Sequence, residues 1–197
     1  MSAATLPASC ATALKEWATV LEALARGEQL VLIRKGGLIE PGSGFTLRAS
    51  TFLLYPTFEH QAVQYLREPY RPSFDEAQRR RAPEGHVRFE LIGVAVSSIE
   101  SRDPAIVDRL QPFHIYNSAF LAQRLKWQPE QPLVIALIRA FRLPAPQQVA
   151  VTPAYAGCKS WVDLEAPVSL AGAEPALDDA TFARRAAEAQ QGLSPAR

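Results

Sequence analysis

Two segments constrain the fold more than any others: HVRFELIGVAVSSIE, beginning at His86, and PLVIALIRAFRL, beginning at Pro132. In the first, Val87, Phe89 and Leu91 alternate with polar residues before an apolar centre, while the second is apolar almost throughout. Period-two alternation puts one face in a core, and a continuous branched run needs cover on both faces, so each segment predicts a long strand. No stretch approaches the roughly 20 apolar residues that a membrane-crossing helix needs. With 197 residues, 48% of them hydrophobic, the chain suffices for one substantial core.

The other elements are shorter. In ATALKEWATVLEALARGEQ the residues Leu14, Trp17, Ala18, Leu21, Leu24 and Ala25 recur at helical spacing, which predicts a helix capped by Thr12 and ended by Gly27. QLVLIRKGG reads as a buried strand broken by Gly36 and Gly37, and a loop with Pro41, Gly42 and Gly44 leads to the extended FTLRASTFLLYP. Pro56, which has no amide proton, is expected to leave the ladder, and Thr57 to cap a short helix carrying Phe58, Ala62, Val63, Tyr65 and Leu66. Glu68 to Gly85, with its prolines and Arg79, Arg80 and Arg81, reads as a surface excursion with a solvated arginine run. Short helices are expected at 103–110, started by Asp103, and at 118–127, capped by Asn117 or Ser118. TPAYAGCKSWVDL ends in a short strand, and Asp178 and Asp179 precede an alanine-rich helix. Strands interrupted by short helices, without regular βαβ alternation, predict an α+β fold with a mostly antiparallel, barrel-like sheet. Residues 1–178 are expected to form a single domain and 179–197 a helical to disordered tail.

Charge and cysteine content narrow the function. Twenty-one Lys and Arg against twenty Asp and Glu leave a net charge of +1, so binding to nucleic acid or an anionic membrane would have to rest on a local patch. Cys10 and Cys158 lie far apart and form no CxxC pair, which argues against a zinc site and a disulfide framework and fits a reducing cytoplasm. The opening residues lack the pattern of a secretory leader. Three histidines without HxH, HExxH or DxD spacing point away from a transition-metal site, and no cofactor is implied.

The blocks LKEWA, LIRKGG, FLLYPTFEHQ and AYAGCKSWVDL, in this order and near these spacings, resemble the bacterial domain-of-unknown-function family 1802, over roughly Leu14 to Asp179. The resemblance implies no established activity. It implies a bacterial setting, and the joining of some members to restriction-endonuclease-like modules points to DNA or RNA processing. A fainter likeness, carried by EALARGEQLVLIRK and the later strands, is to the ASCH and PUA-like barrels that bind nucleic acid. Here Arg34 and Lys35 run directly into Gly36 and Gly37, without the acidic residue usual in the ASCH strand at that point.

Three polar clusters are candidate sites. Arg34, Lys35, Gly36 and Gly37 put two cations beside a backbone that can approach a phosphate, or else simply make a hairpin turn. Tyr55, Glu59, His60 and Gln61 crowd a strand end, where His60 can serve as a general base or a nucleic-acid contact and Glu59 can orient it, or where the group merely caps a helix around a buried histidine. Tyr155, Lys159, Ser160 and Trp161 offer rings for stacking and a cation for phosphate, although Trp161 at a strand start also suits a core. Cys158 sits beside Lys159 without a Cys-His-Asn pattern, His114 lies among apolar neighbours as core histidines do, and His86 carries no particular signal. The leading reading is a binding module for DNA or RNA whose three clusters gather at one mouth of the sheet, so that Arg34, His60 and Lys159 share one concavity. The alternatives are a phosphodiester hydrolase using Glu59 and His60, and a structural or protein-interaction domain.

Overall fold

The computed structural model describes residues 5–35 and 46–193. It contains seven strands, β1 (Ser9–Trp17), β2 (Val31–Arg34), β3 (Thr51–Thr57), β4 (His86–Ser101), β5 (Leu133–Ala150), β6 (Trp161–Ser169) and β7 (Glu174–Pro175), in one sheet. The helices are α1 (Ala18–Ala25), α2 (Pro72–Arg79), α3 (Ala105–Arg109), α4 (Ser118–Lys126) and α5 (Asp179–Leu193). Strand order is β2-β5-β4-β3-β1-β6, with β7 paired to β5. All pairings are antiparallel except β1 with β3.

The two constraining segments form the β4–β5 ribbon, in register from His86 opposite Ala150 to Ser101 opposite Leu133, with bulges between Phe89 and Leu91 and between Ala95 and Ser97. Such bulges sharpen twist and bend a ribbon. Both faces of the sheet carry an apolar core. Leu53 and Tyr55 of β3 join Phe89, Ile92, Val162 and Leu164 on one side, while Phe52 and Leu54 join the helices' Leu21, Leu24 and Phe120 on the other. That two-sided burial explains the unbroken apolar run FLLY. Among the described residues no backbone ladder joins β2 to β6, so the curled sheet is open; its ends meet through side chains, Arg34 reaching Ser160 at 2.8 Å.

Several local expectations are corrected. Cys10 to Trp17 is a strand: Ala13 faces Leu53 on one side and Val162 on the other, and pairing on both edges outweighs the helical spacing of Leu14, Trp17 and Leu21. Thr12 lies opposite Asp163 instead of capping, and the helix begins only at Ala18. Gly27, at φ +68°, does end it, its N–H donating to the Leu24 carbonyl at 3.1 Å.

Pro56 stays in β3 opposite Glu16; pairing with β4 stops at Leu53, so the missing N–H breaks no bond on that side. No α-helix follows Thr57. Its hydroxyl instead donates to the Glu16 carbonyl at 3.1 Å, Glu59 and His60 turn the chain with His60 at φ +63°, and Val63–Tyr65 form one 3-10 turn. The region 68–85 contains α2, which buries Ser73 and Ala77. Arg80 is not free in solvent: it pairs with Glu22 at 3.4 Å and Glu90 at 2.8 Å, while Arg81 lies over the Phe58 ring. Asn117 caps α4 as expected, Oδ1 accepting from Phe120 N at 3.2 Å. In α5, Phe182, Ala186 and Ala189 are buried in the helix-side core, and Arg139 of β5 pairs with Asp179.

Candidate functional site

A cleft of about 1570 Å³ opens where the end of β1, the end of β3 and the segment before β6 meet the last turn of α4. Its lining contains Arg34, His60 and Lys159, one from each sequence cluster, together with Tyr55, Tyr155 and Ser160. Lys35, Gln61 and Trp161 do not line it, and Gly36 and Gly37 lie outside the described residues.

At its base sits a buried ion pair that the sequence did not reveal. Glu16 is 4% exposed because β1 carries it to the sheet interior; its Oε2 accepts from Arg34 Nη1 at 3.0 Å and its Oε1 from the Trp17 amide at 2.8 Å. The other fork of Arg34 donates to Ser160 Oγ at 2.8 Å, and Nη1 also reaches the Lys15 carbonyl at 3.1 Å. Arg34 and Ser160 therefore clip β2 to β1 and to the segment before β6. Lys35 is likewise structural, being buried with Nζ donating to the Leu125 carbonyl at 2.9 Å; burial lowers its pKa.

The neighbouring loop is fixed by cations. Lys15 donates to the carbonyls of Tyr155 (2.6 Å) and Gly157 (3.0 Å) and stands 5.5 Å from the Tyr55 ring. Burial and then the charge of Lys159 lower the Lys15 pKa, while burial and then Glu59 raise that of Tyr55. Lys159 itself folds back on the Ala154 carbonyl. Tyr155 is buried, its hydroxyl accepting from Glu165 N at 2.8 Å, and Trp161 is a core residue set edge-on to Phe52 with Nε1 donating to the Thr46 carbonyl. Neither ring is free for stacking. Cys158 is exposed at the rim.

Glu59 and His60 are both exposed, so His60 is not the buried histidine that a helix cap would enclose. Neither makes a hydrogen bond or ion pair among the described residues, and the same residues contain no group of three or more His, Cys, Asp or Glu placed to hold a metal ion. Gln61 accepts from the Thr19 hydroxyl at 3.1 Å, leaving its Nε2 buried without a partner. His114 is a core histidine: Nε2 donates to the Val107 carbonyl at 3.1 Å, Nδ1 accepts from Tyr116 N, and burial lowers its pKa to about 4.

Sequence reasoning missed the far wall. Arg124, Lys126 and Trp127, at the end of α4, all line the cleft, and Trp127 is 39% exposed. The Arg124 guanidinium lies 5.1 Å over the Phe120 ring, and burial and then Arg34 lower its pKa. The signal was present in RLKW, where cations interleave with an aromatic at the end of a short helix. Altogether the lining holds nine lysines and arginines against five glutamates, an imbalance concentrated in a chain whose net charge is +1.

No helix among the described residues is long and apolar enough to cross a membrane. A search of curated proteins finds no match. Among solved structures, the crystal structure of a mutant ZmASCH protein from Zymomonas mobilis is similar over 95% of this chain and 96% of that one, at 12% identity and a TM-score of 0.43. The family model described as Domain of unknown function (DUF1802) matches residues 13–188, nearly the whole described chain, and the chain therefore belongs to that family.

Proposed function

We propose that the cleft binds single-stranded nucleic acid. The observation that carries this reading is the excess of cations on its lining, nine against five glutamates, beside the half-exposed ring of Trp127. Cations along a groove meet the phosphate backbone whatever the sequence, and an accessible indole gives a base a face on which to stack. Arg34 and Ser160 hold the groove's shape, and Lys126, Trp127 and His60 present groups into it.

Fluorescence anisotropy with labelled DNA and RNA oligonucleotides, single- and double-stranded, tests the proposal. Single strands should bind with an affinity that falls as salt rises, the logarithmic slope being about 0.7 per phosphate contact. Lys126→Ala should reduce that slope by about the same 0.7, and Trp127→Ala should weaken binding about tenfold or more at every salt concentration. An absence of binding at low salt, or a preference for duplex that Trp127→Ala leaves intact, overturns the reading.

A further inference from the structure

The last turn of α4 brings to the cleft a charge that no ion pair among the described residues engages. Arg124 packs its guanidinium over Phe120 and lies close enough to Arg34 for the two charges to interact. It makes no hydrogen bond and no ion pair among the described residues. Glu16 is the carboxylate whose charge favours it, yet one oxygen of Glu16 is taken by Arg34 and the other by the Trp17 amide. Two arginines thus draw on one glutamate, and Arg124 stands partly exposed on the cleft wall with its donors unengaged by the described residues. A guanidinium held over the Phe120 ring on a cleft wall, with no acceptor among the described residues for its fork of donors, matches the oxygens of a phosphate. Lys126, on the same wall, adds a second cation within reach of the cleft.

We propose that Arg124, supported by Lys126, forms a phosphoryl-anion subsite in the cleft, with Arg34 holding Glu16 away so that Arg124 stays open to a ligand. The subsite takes the phosphodiester of a bound strand or a terminal or free phosphate. It deepens the nucleic-acid reading and rests on it for the source of the phosphate, while its chemistry stands on Arg124 alone.

The test is thermal unfolding of the full chain in sodium phosphate against sodium chloride at matched ionic strength, for the wild type and Arg124→Met. Phosphate at about ten times its Kd should raise the wild-type Tm by about 4 °C beyond the chloride control. Arg124→Met should abolish that rise while leaving the Tm in chloride close to the wild-type value, because Arg124 makes no hydrogen bond or ion pair among the described residues and methionine keeps an apolar cover on Phe120. Equal stabilisation by phosphate and chloride overturns the subsite. So does an Arg124→Met protein that keeps the phosphate effect, or one whose Tm in chloride drops, since the arginine would then be a structural cation. A second arm compares one single-stranded oligonucleotide with a 5′-phosphate and with a 5′-hydroxyl. Equal affinity, with inorganic phosphate competing, identifies a backbone phosphate; tighter binding of the phosphorylated form identifies a terminal one; either supports the subsite. Should neither oligonucleotide bind while the phosphate effect depends on Arg124, the subsite holds and the nucleic-acid reading alone falls.

Discussion

Glu16 and Arg34 form a buried pair, with side chains 4% and 14% exposed, so removing either partner strands a charge away from water. Arg34→Ala should therefore destabilise the protein by about 3 kcal/mol in urea unfolding, and the double variant Glu16→Gln/Arg34→Ala should recover part of that loss. If Arg34→Ala instead matches the wild-type midpoint and weakens only ligand binding, Arg34 is a ligand contact. His114 gives a pH signature. Its folded-state pKa, about 4, lies below the ordinary value of 6.5, so between these pH values the unfolded chain binds the extra proton and stability rises with pH. The histidine's contribution, roughly 3 kcal/mol, should be complete above pH 6.5 and lost as pH falls toward 4. Denaturation midpoints at pH 5 and pH 7 should converge in His114→Gln relative to the wild type; an unchanged gap would assign the pH dependence to other groups. At this scale the sequence marked His60, Lys159 and Tyr55 as polar or aromatic groups next to turns, and all three line the cleft. RLKW held the cations and the ring of the far wall, but that Arg124 lacks an ion-pair partner among the described residues emerges only when distant elements pack.

Among the elements, α4 is where local chemistry and the candidate site meet. Asn117 accepts from Phe120 N and its Nδ2 donates to the Gln64 carbonyl at 2.7 Å, so it both caps the helix and ties it to the 3-10 turn after β3. Asn117→Ala should cost about 1 kcal/mol in chemical unfolding. Because α4 carries Arg124 and leads directly into Trp127, the same substitution should also weaken oligonucleotide binding; an unaltered affinity would show that the helix end is held by packing alone. The cap was legible because Asn117 and Ser118 precede an apolar-periodic stretch, and β4 and β5 because period and length agree. β1 was not, since Leu14, Trp17, Leu21 and Leu24 satisfy a helical period across a junction where strand gives way to helix at Trp17. What sets that junction is pairing with β3 and β6, which no window around residue 14 contains.

Across the whole molecule, β1 lies between β3, with which it runs parallel from Ala13 opposite Leu53, and β6, which it meets from Ser9 opposite Ser169 to Leu14 opposite Trp161. This arrangement has a consequence for the order in which the protein is made. As a chain lengthens on a ribosome, β1 emerges early, yet its second neighbour does not exist until the residues of β6 have followed. Until then one whole edge of the strand, with its peptide groups, stays exposed to any other extended chain. Closing a loop of that span also makes the final pairing slow relative to the local β4–β5 ribbon. Pulse-labelled hydrogen exchange during refolding should show amides of β4 and β5 protected first and those of β1 and β6 protected together afterwards; simultaneous protection throughout would rule that order out. A nascent chain in which β6 has yet to emerge thus carries an unpaired β1 edge, and crowding during synthesis is a stress to which this topology leaves it open.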